Sequence, residues 1–123
     1  MARSRASAKQ AGARFERQQA DYWAANFDDR IDRKVRTGSR DTGDLGGIRI
    51  GPHRLVAECK DCARTDLAGW AREAATEALN DKAIAGVTIH KRHGVADPGL
   101  QWVTCTVDDF IRILKGVRGD ADV

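Results

Sequence analysis

The chain has 123 residues, 41% of them apolar and 32% charged, which gives room for one modest core and argues against disorder. No apolar run approaches the roughly 18 residues of a membrane span, and no secretory signal is visible, so a cytoplasmic location without a membrane partner is expected. The net charge is only +3, but the cations are grouped: Arg3, Arg5, Lys9 and Arg14 have no acid among them, and Lys91, Arg92 and His93 are consecutive. Such grouping suits a phosphate backbone, and by itself it suits a solvated surface equally.

In chain order, residues 1–10 lack an apolar anchor and are expected to form a flexible basic arm, which either wraps nucleic acid or is merely solvated. From about Ala11 to Ile31 the residues Phe15, Tyr22, Trp23, Phe27 and Ile31 fall on one stripe of a long helix. Residues 36–47 hold Gly38, Gly43, Gly46 and Gly47 and read as a loop. A hairpin follows, with Ile48 and Ile50 in one strand, a turn at Gly51-Pro52, and a second strand over Leu55 to Lys60. Asp66 is placed to cap a second helix whose buried side is Leu67, Trp70, Ala71, Ala74, Ala78 and Leu79. Val87 and Ile89 mark one short strand and Trp102 to Cys105 another. Thr106 with Asp109 fits a capping box for a last helix, in which Phe110, Ile111 and Leu114 point inward and Gly116 is the stop. The expected fold is α/β, a mixed β-sheet flanked by helices in the order α-β-β-β-α-β-β-α, with one domain over residues 11–118 and a disordered tail at 119–123.

The chemistry is concentrated in Asp44 and in Val56-Ala-Glu58-Cys-Lys60. Side chains two apart on a strand share a face, so Glu58 and Lys60 point one way while Leu55, Ala57 and Cys59 enter the core. An acid and a base held inside a fold need partners, and a divalent cation with a phosphodiester would supply them. Magnesium takes oxygen ligands, typically one or two carboxylates with water and phosphate. Asp44, Glu58 and the Cys59 carbonyl are the candidate ligands for Mg2+ or Mn2+, with Glu16 as a further acidic group. Lys60 is the candidate to orient a water or to stabilise charge on the phosphate.

This pattern resembles the PD-(D/E)xK nuclease superfamily, and within it the small Holliday-junction resolvases of archaea and of phages that infect actinobacteria. The likeness runs from about Arg14 to Leu114: Phe15-Glu16 on the first helix, Gly38-Ser39-Arg40 leading to Asp44, the strand Glu58-Cys59-Lys60, a helix over Asp66–Asn80, and a strand ending in His90-Lys91-Arg92-His93. The resemblance implies a restriction-endonuclease-like core and a homodimer that cuts paired strands of a branched, four-way DNA junction. Catalytic roles would fall on Asp44, Glu58, Lys60 and Glu16, and Ser39, Arg40, Lys91, Arg92 and His93 would contact DNA. In one respect the chain departs from the pattern: Gly43 precedes Asp44 where proline is usual.

Other readings compete at several positions. Glu58 and Lys60 also fit a surface ion pair, Asp44 a turn, and Asp41 is a rival for the metal-binding role of Asp44. Glu16 fits equally a pair with a neighbouring arginine. Cys59-x-x-Cys62 lacks the second ligand pair of a zinc site, Cys105 stands alone, and all three cysteines read as reduced thiols. Trp23, Trp70 and Trp102 fit core or dimer contacts, the dimer being expected through the first helix and the helix of Trp70. Two alternative functions stand beside junction resolution: a nuclease of the same fold acting on flaps, single strands or duplex sites, and a non-catalytic DNA-binding module.

Overall fold

A computed structural model describes residues 3–35, 38 and 40–120. Its elements are α1 (Arg5–Asn26), β1 (Asp32–Arg33), β2 (Leu45–Gly46), β3 (Arg49–Ile50), β4 (His53–Lys60), α2 (Leu67–Asn80), β5 (Ala85–His90), a 3-10 turn at Pro98–Leu100, β6 (Trp102–Thr104) and α3 (Val107–Arg118).

Of the expected basic arm, residues 1–2 lie outside the described residues, and residues 5–10 form the first turn and a half of α1. Ser4 caps it by accepting the Ser7 N–H at 3.1 Å, and the Ala, Gln, Lys and Arg that follow are good helix formers. Arg3 is held as well, its guanidinium donating to the Asp61 carbonyl at 2.9 Å and to Asp61 Oδ1 at 3.1 Å. At the other end α1 stops at Asn26, short of Ile31. Phe27 is exposed, and Ile31 reaches the core from the chain beyond the helix.

The six strands are ordered β1-β2-β4-β5-β6, with β3 pairing the start of β4. β4 and β5 run parallel, and the other pairs are antiparallel. The sheet is thus mixed, mostly antiparallel, and flanked by three helices. A parallel pair needs a crossover, which α2 provides. Asp66 starts α2 by accepting the Gly69 N–H at 3.0 Å. The core lies between α1 and the sheet, where Phe15, Ala20 and Ile31 meet Leu45, Ile48, Ala57, Val87 and Ile89, with Leu55 and Cys59 packed against them. The alternation of β4 therefore sends Val56, Glu58 and Lys60 to the opposite face, toward α2.

On that face α2 buries Trp70, Ala74, Glu77 and Ala78. Leu67 and Leu79, expected on the buried side, are exposed. Steps of about 100° per residue place Leu79 one position beyond the stripe set by Trp70, Ala74 and Ala78. Close approach depends on Gly86, where a Cβ would lie 2.5 Å from the Ala74 carbonyl oxygen. The last helix departs most from expectation. Thr106 does cap it, accepting the Asp109 N–H at 3.1 Å. However, Phe110, Ile111 and Leu114 are exposed, while Ile113 packs against the core and Gly116 is buried against Ile84 and Ile50. The helix ends at Gly119, whose φ of +86° is the left-handed stop, rather than at Gly116. Among the described residues no helix is long and apolar enough to cross a membrane.

Candidate metal centre

Asp44 is fixed against the strand that carries Glu58. Its backbone N–H donates to the Ala57 carbonyl at 3.0 Å, and its Oδ2 accepts the Cys59 N–H at 2.7 Å. Gly43, where the related pattern has proline, has a φ of +100°, and a Cβ there would meet Val56 Cγ1 at 3.0 Å. Proline is locked near −65°, so this turn excludes it. The departure from the pattern has a backbone cause and leaves Asp44 in place.

Asp41 is positioned from two sides. Its Oδ1 accepts the Gly43 N–H at 3.0 Å, and its carbonyl accepts from Asn80 Nδ2, at the end of α2, at 2.9 Å. That tie sets Asp41 beside Glu77, one turn earlier on α2. Carboxylate oxygens of Asp41, Glu58 and Glu77 lie within 4.8 Å of one another, a spacing that can hold a metal ion. Asp44 is near enough to Glu58 to share a hydrogen bond with it, and Glu16 on α1 stands in the same relation to Asp44. Glu77 was not among the residues singled out in the sequence, where it reads as one polar residue of α2.

Burial is what makes this grouping unusual. Glu58 and Glu77 are 6% and 4% exposed, and the Oε2 of each is buried without a hydrogen-bond partner. Desolvation, with Asp44 and Glu77 alongside, pushes the Glu58 pKa up to about 12. Burial and Asp44 push Glu16 up to about 7, and burial, with Asp41 and Asp44 and against a hydrogen bond with Glu58 that lowers it, pushes Glu77 to about 7 as well. Arg33, 3.8 Å from Glu16 Oε2, offsets part of this. Buried, like-charged oxygens without donors are costly, and a hard divalent cation with oxygen preference relieves that cost. The three carboxylates could therefore hold a metal ion.

Lys60 projects from the same face of β4 as Glu58, and its ammonium donates to Glu73 Oε2 at 2.7 Å. Burial works to lower its pKa, but Glu73 and Glu58 outweigh it and the pKa is raised, so Lys60 is a cation. Glu73 and Glu77 are one helical turn apart, which sets them opposite Lys60 and Glu58 respectively. A cleft beside Asp41, Glu73 and Glu77 opens the group to solvent.

The remaining predicted residues are more dispersed. Ser39 lies outside the described residues. Arg40 is exposed beside the loop of Asp41. Lys91 turns its ammonium onto the carbonyls of Arg92 and Val95. Arg92 stacks over the Trp102 ring at 4.4 Å and donates to the Leu100 carbonyl at 3.2 Å, while its N–H binds Gln101 Oε1 at 2.7 Å. His93 is exposed, its Nε2 3.1 Å from the Cys62 carbonyl oxygen. Burial pushes the Cys59 thiol up, and Cys62 is exposed, so the two thiols do not share one environment. No family model, curated protein or solved structure matches the chain.

Proposed function

We propose that the protein is a metal-dependent, structure-selective DNA endonuclease with a restriction-endonuclease-like core, acting as a homodimer on four-way junctions. The observation that carries this reading is the pair of buried, unpartnered carboxylate oxygens on Glu58 and Glu77, with Asp44 fixed beside them and Lys60 two residues along β4. A structural ion pair needs none of this arrangement, and a DNA-binding module would have little use for carboxylates facing phosphate.

In this reading Glu58, Glu77 and Asp41 hold the cation, with Asp44 and Glu16 at its flanks. When bound, the cation lowers the pKa of water and neutralises charge on a phosphate. Lys60 donates to the phosphate or to the attacking water, and Glu73 holds the ammonium charged and oriented. Arg5, Lys9 and Arg14 lie exposed on the first half of α1, where they can track the backbone of a DNA arm, with Arg40 and His93 on adjoining loops. A two-fold dimer would present one such centre to each of two opposed strands, matching the symmetry of a junction.

The test is cleavage of labelled four-way junctions and of their constituent duplexes, with Mg2+ or EDTA, by the wild type and by Glu58→Ala. Paired nicks in the junction, dependent on Mg2+ and lost by at least a hundredfold in Glu58→Ala while binding persists, are expected. Equal cutting of the duplexes would replace the junction by a broader DNA substrate. Binding without cutting under any metal would leave only a DNA-binding module.

A further inference from the structure

The cleft beside the metal group has α2 as its long wall. Along that helix Trp70, Ala74, Glu77 and Ala78 are buried, and steps of about 100° per residue turn Glu73, then Thr76 and then Arg72 progressively out from that stripe. Glu77 therefore lies at the floor of the cleft and Arg72 on its exposed lip. Four carboxylates line the cleft, those of Asp41, Asp66, Glu73 and Glu77, and among the described residues Arg72 is the one cation that lines it. We propose that Arg72 is a substrate-binding residue, whose guanidinium takes a phosphate of the cut DNA strand next to the phosphate that lies over the carboxylates.

The acids of the cleft are engaged elsewhere. Glu73 holds the Lys60 ammonium at 2.7 Å, Asp66 caps α2 by accepting the Gly69 N–H at 3.0 Å, and Asp41 and Glu77 belong to the metal group. Thr76 turns its hydroxyl back onto the Arg72 carbonyl at 3.1 Å. Among the described residues the Arg72 guanidinium forms no salt bridge, although it is the cation of an acidic cleft. A guanidinium stays charged at any physiological pH, and its planar fork matches a pair of phosphate oxygens, so an external anion is what it can still bind. With Lys60 paired to Glu73, Arg72 is the uncommitted positive charge that can draw a DNA strand past these acids. Its place along α2 decides which phosphate. Glu77 lies five residues further on, about 7.5 Å along the axis at 1.5 Å per residue, so a group held at Glu77 and a phosphate held by Arg72 are separate points on the strand. Holding the second point fixes the direction in which the strand crosses α2.

The inference rests on the nuclease reading, and binding and cleavage are measured apart so that the two can fail separately. Four-way junctions carrying one neutral methylphosphonate at successive positions near the branch point are titrated with wild type, Arg72→Gln and Arg72→Lys by fluorescence anisotropy, with Ca2+ in place of Mg2+. Arg72→Gln is expected to bind the unmodified junction about ten- to a hundredfold more weakly, as loss of a charge-assisted contact does. It should also flatten the slope of log affinity against log salt by about 1, a slope that Arg72→Lys recovers with part of the affinity. One methylphosphonate is expected to weaken the wild type and leave Arg72→Gln unaffected. Mn2+ binding, followed by loss of the free-Mn2+ electron paramagnetic resonance signal, should be unchanged in Arg72→Gln, which separates a contact to DNA from damage to the metal group. Circular dichroism reports folding. The proposal is overturned by an Arg72→Gln variant that binds like the wild type or responds to every methylphosphonate as the wild type does. It is overturned equally by a folded Arg72→Gln with weakened Mn2+ binding. Coupling of Arg72 to one phosphate without cleavage of any DNA in Mg2+ would remove the nuclease and keep the contact; junction cleavage without that coupling would do the reverse. A wild type that binds no DNA removes both.

Discussion

Glu58 is the residue on which the centre turns. Its burial beside Asp44 and Glu77 keeps a proton on it when no cation is present. Replacing it by glutamine removes that requirement, so Glu58→Gln is expected to be more stable than the metal-free wild type at pH 8, by about 1 kcal/mol or more, roughly 3–6 °C in Tm. Mg2+ should stabilise the wild type and not the variant; differential scanning calorimetry checks both. Glu16 and Glu77 set the pH window. Their folded pKa values, about 7, lie above the ordinary 4.5, so their stabilising contribution is full below 4.5 and is lost as pH rises through 7. His90 acts in the opposite sense and at lower pH, because burial lowers its pKa below 6.5. Between pH 6.5 and 8 the EDTA-treated protein should therefore lose Tm. The Mg2+-loaded protein should not, and metal binding in that window should tighten with pH and release protons.

At the scale of elements, the docking of α2 on β5 decides whether Glu77 reaches Glu58. That docking passes through Gly86, against the Ala74 carbonyl. Gly86→Ala should cost about 1–3 kcal/mol in urea unfolding, as overpacking does, because the obstacle is backbone rather than a flexible side chain. It should also weaken Mn2+ binding, since moving α2 away from the sheet carries Glu77, and Asp41 tied to Asn80, away from Glu58. The elements themselves were largely legible. Asp66 and Thr106 cap as their residue types suggest, and the β3–β4 hairpin turns at Gly51-Pro52. The first turns of α1 were missed because helix propensity and the Ser4 cap needed no apolar stripe to act.

For the molecule as a whole, the apolar face of α3 is the outstanding exposed surface. Phe110, Ile111, Leu114 and Val117 are exposed on it. Its first turn carries Asp108 and Asp109 and its last turn Lys115 and Arg118, so two antiparallel copies would set acid against base. The proposed dimer was expected through α1 and α2; α3 offers the larger apolar surface. Leu114→Glu should shift sedimentation from dimer toward monomer at micromolar concentration, leaving the circular dichroism spectrum and Mn2+ binding intact. An unchanged sedimentation coefficient would take α3 out of the interface.

The sequence by itself determined what depends on neighbours along the chain: the helix caps, the hairpin, and the shared face of Glu58 and Lys60 with Ala57 and Cys59 turned into the core. These follow from a strand period of two and from local hydrogen bonding, which need no knowledge of the fold. Only the tertiary structure decided that Glu77 and Asp41 join Glu58, that Lys91 folds onto its own loop, and that α3 faces outward. Each of these depends on how elements distant in sequence dock: α2 onto the sheet at Gly86, Asn80 onto the loop of Asp41, and Gly116 of α3 against Ile84 and Ile50.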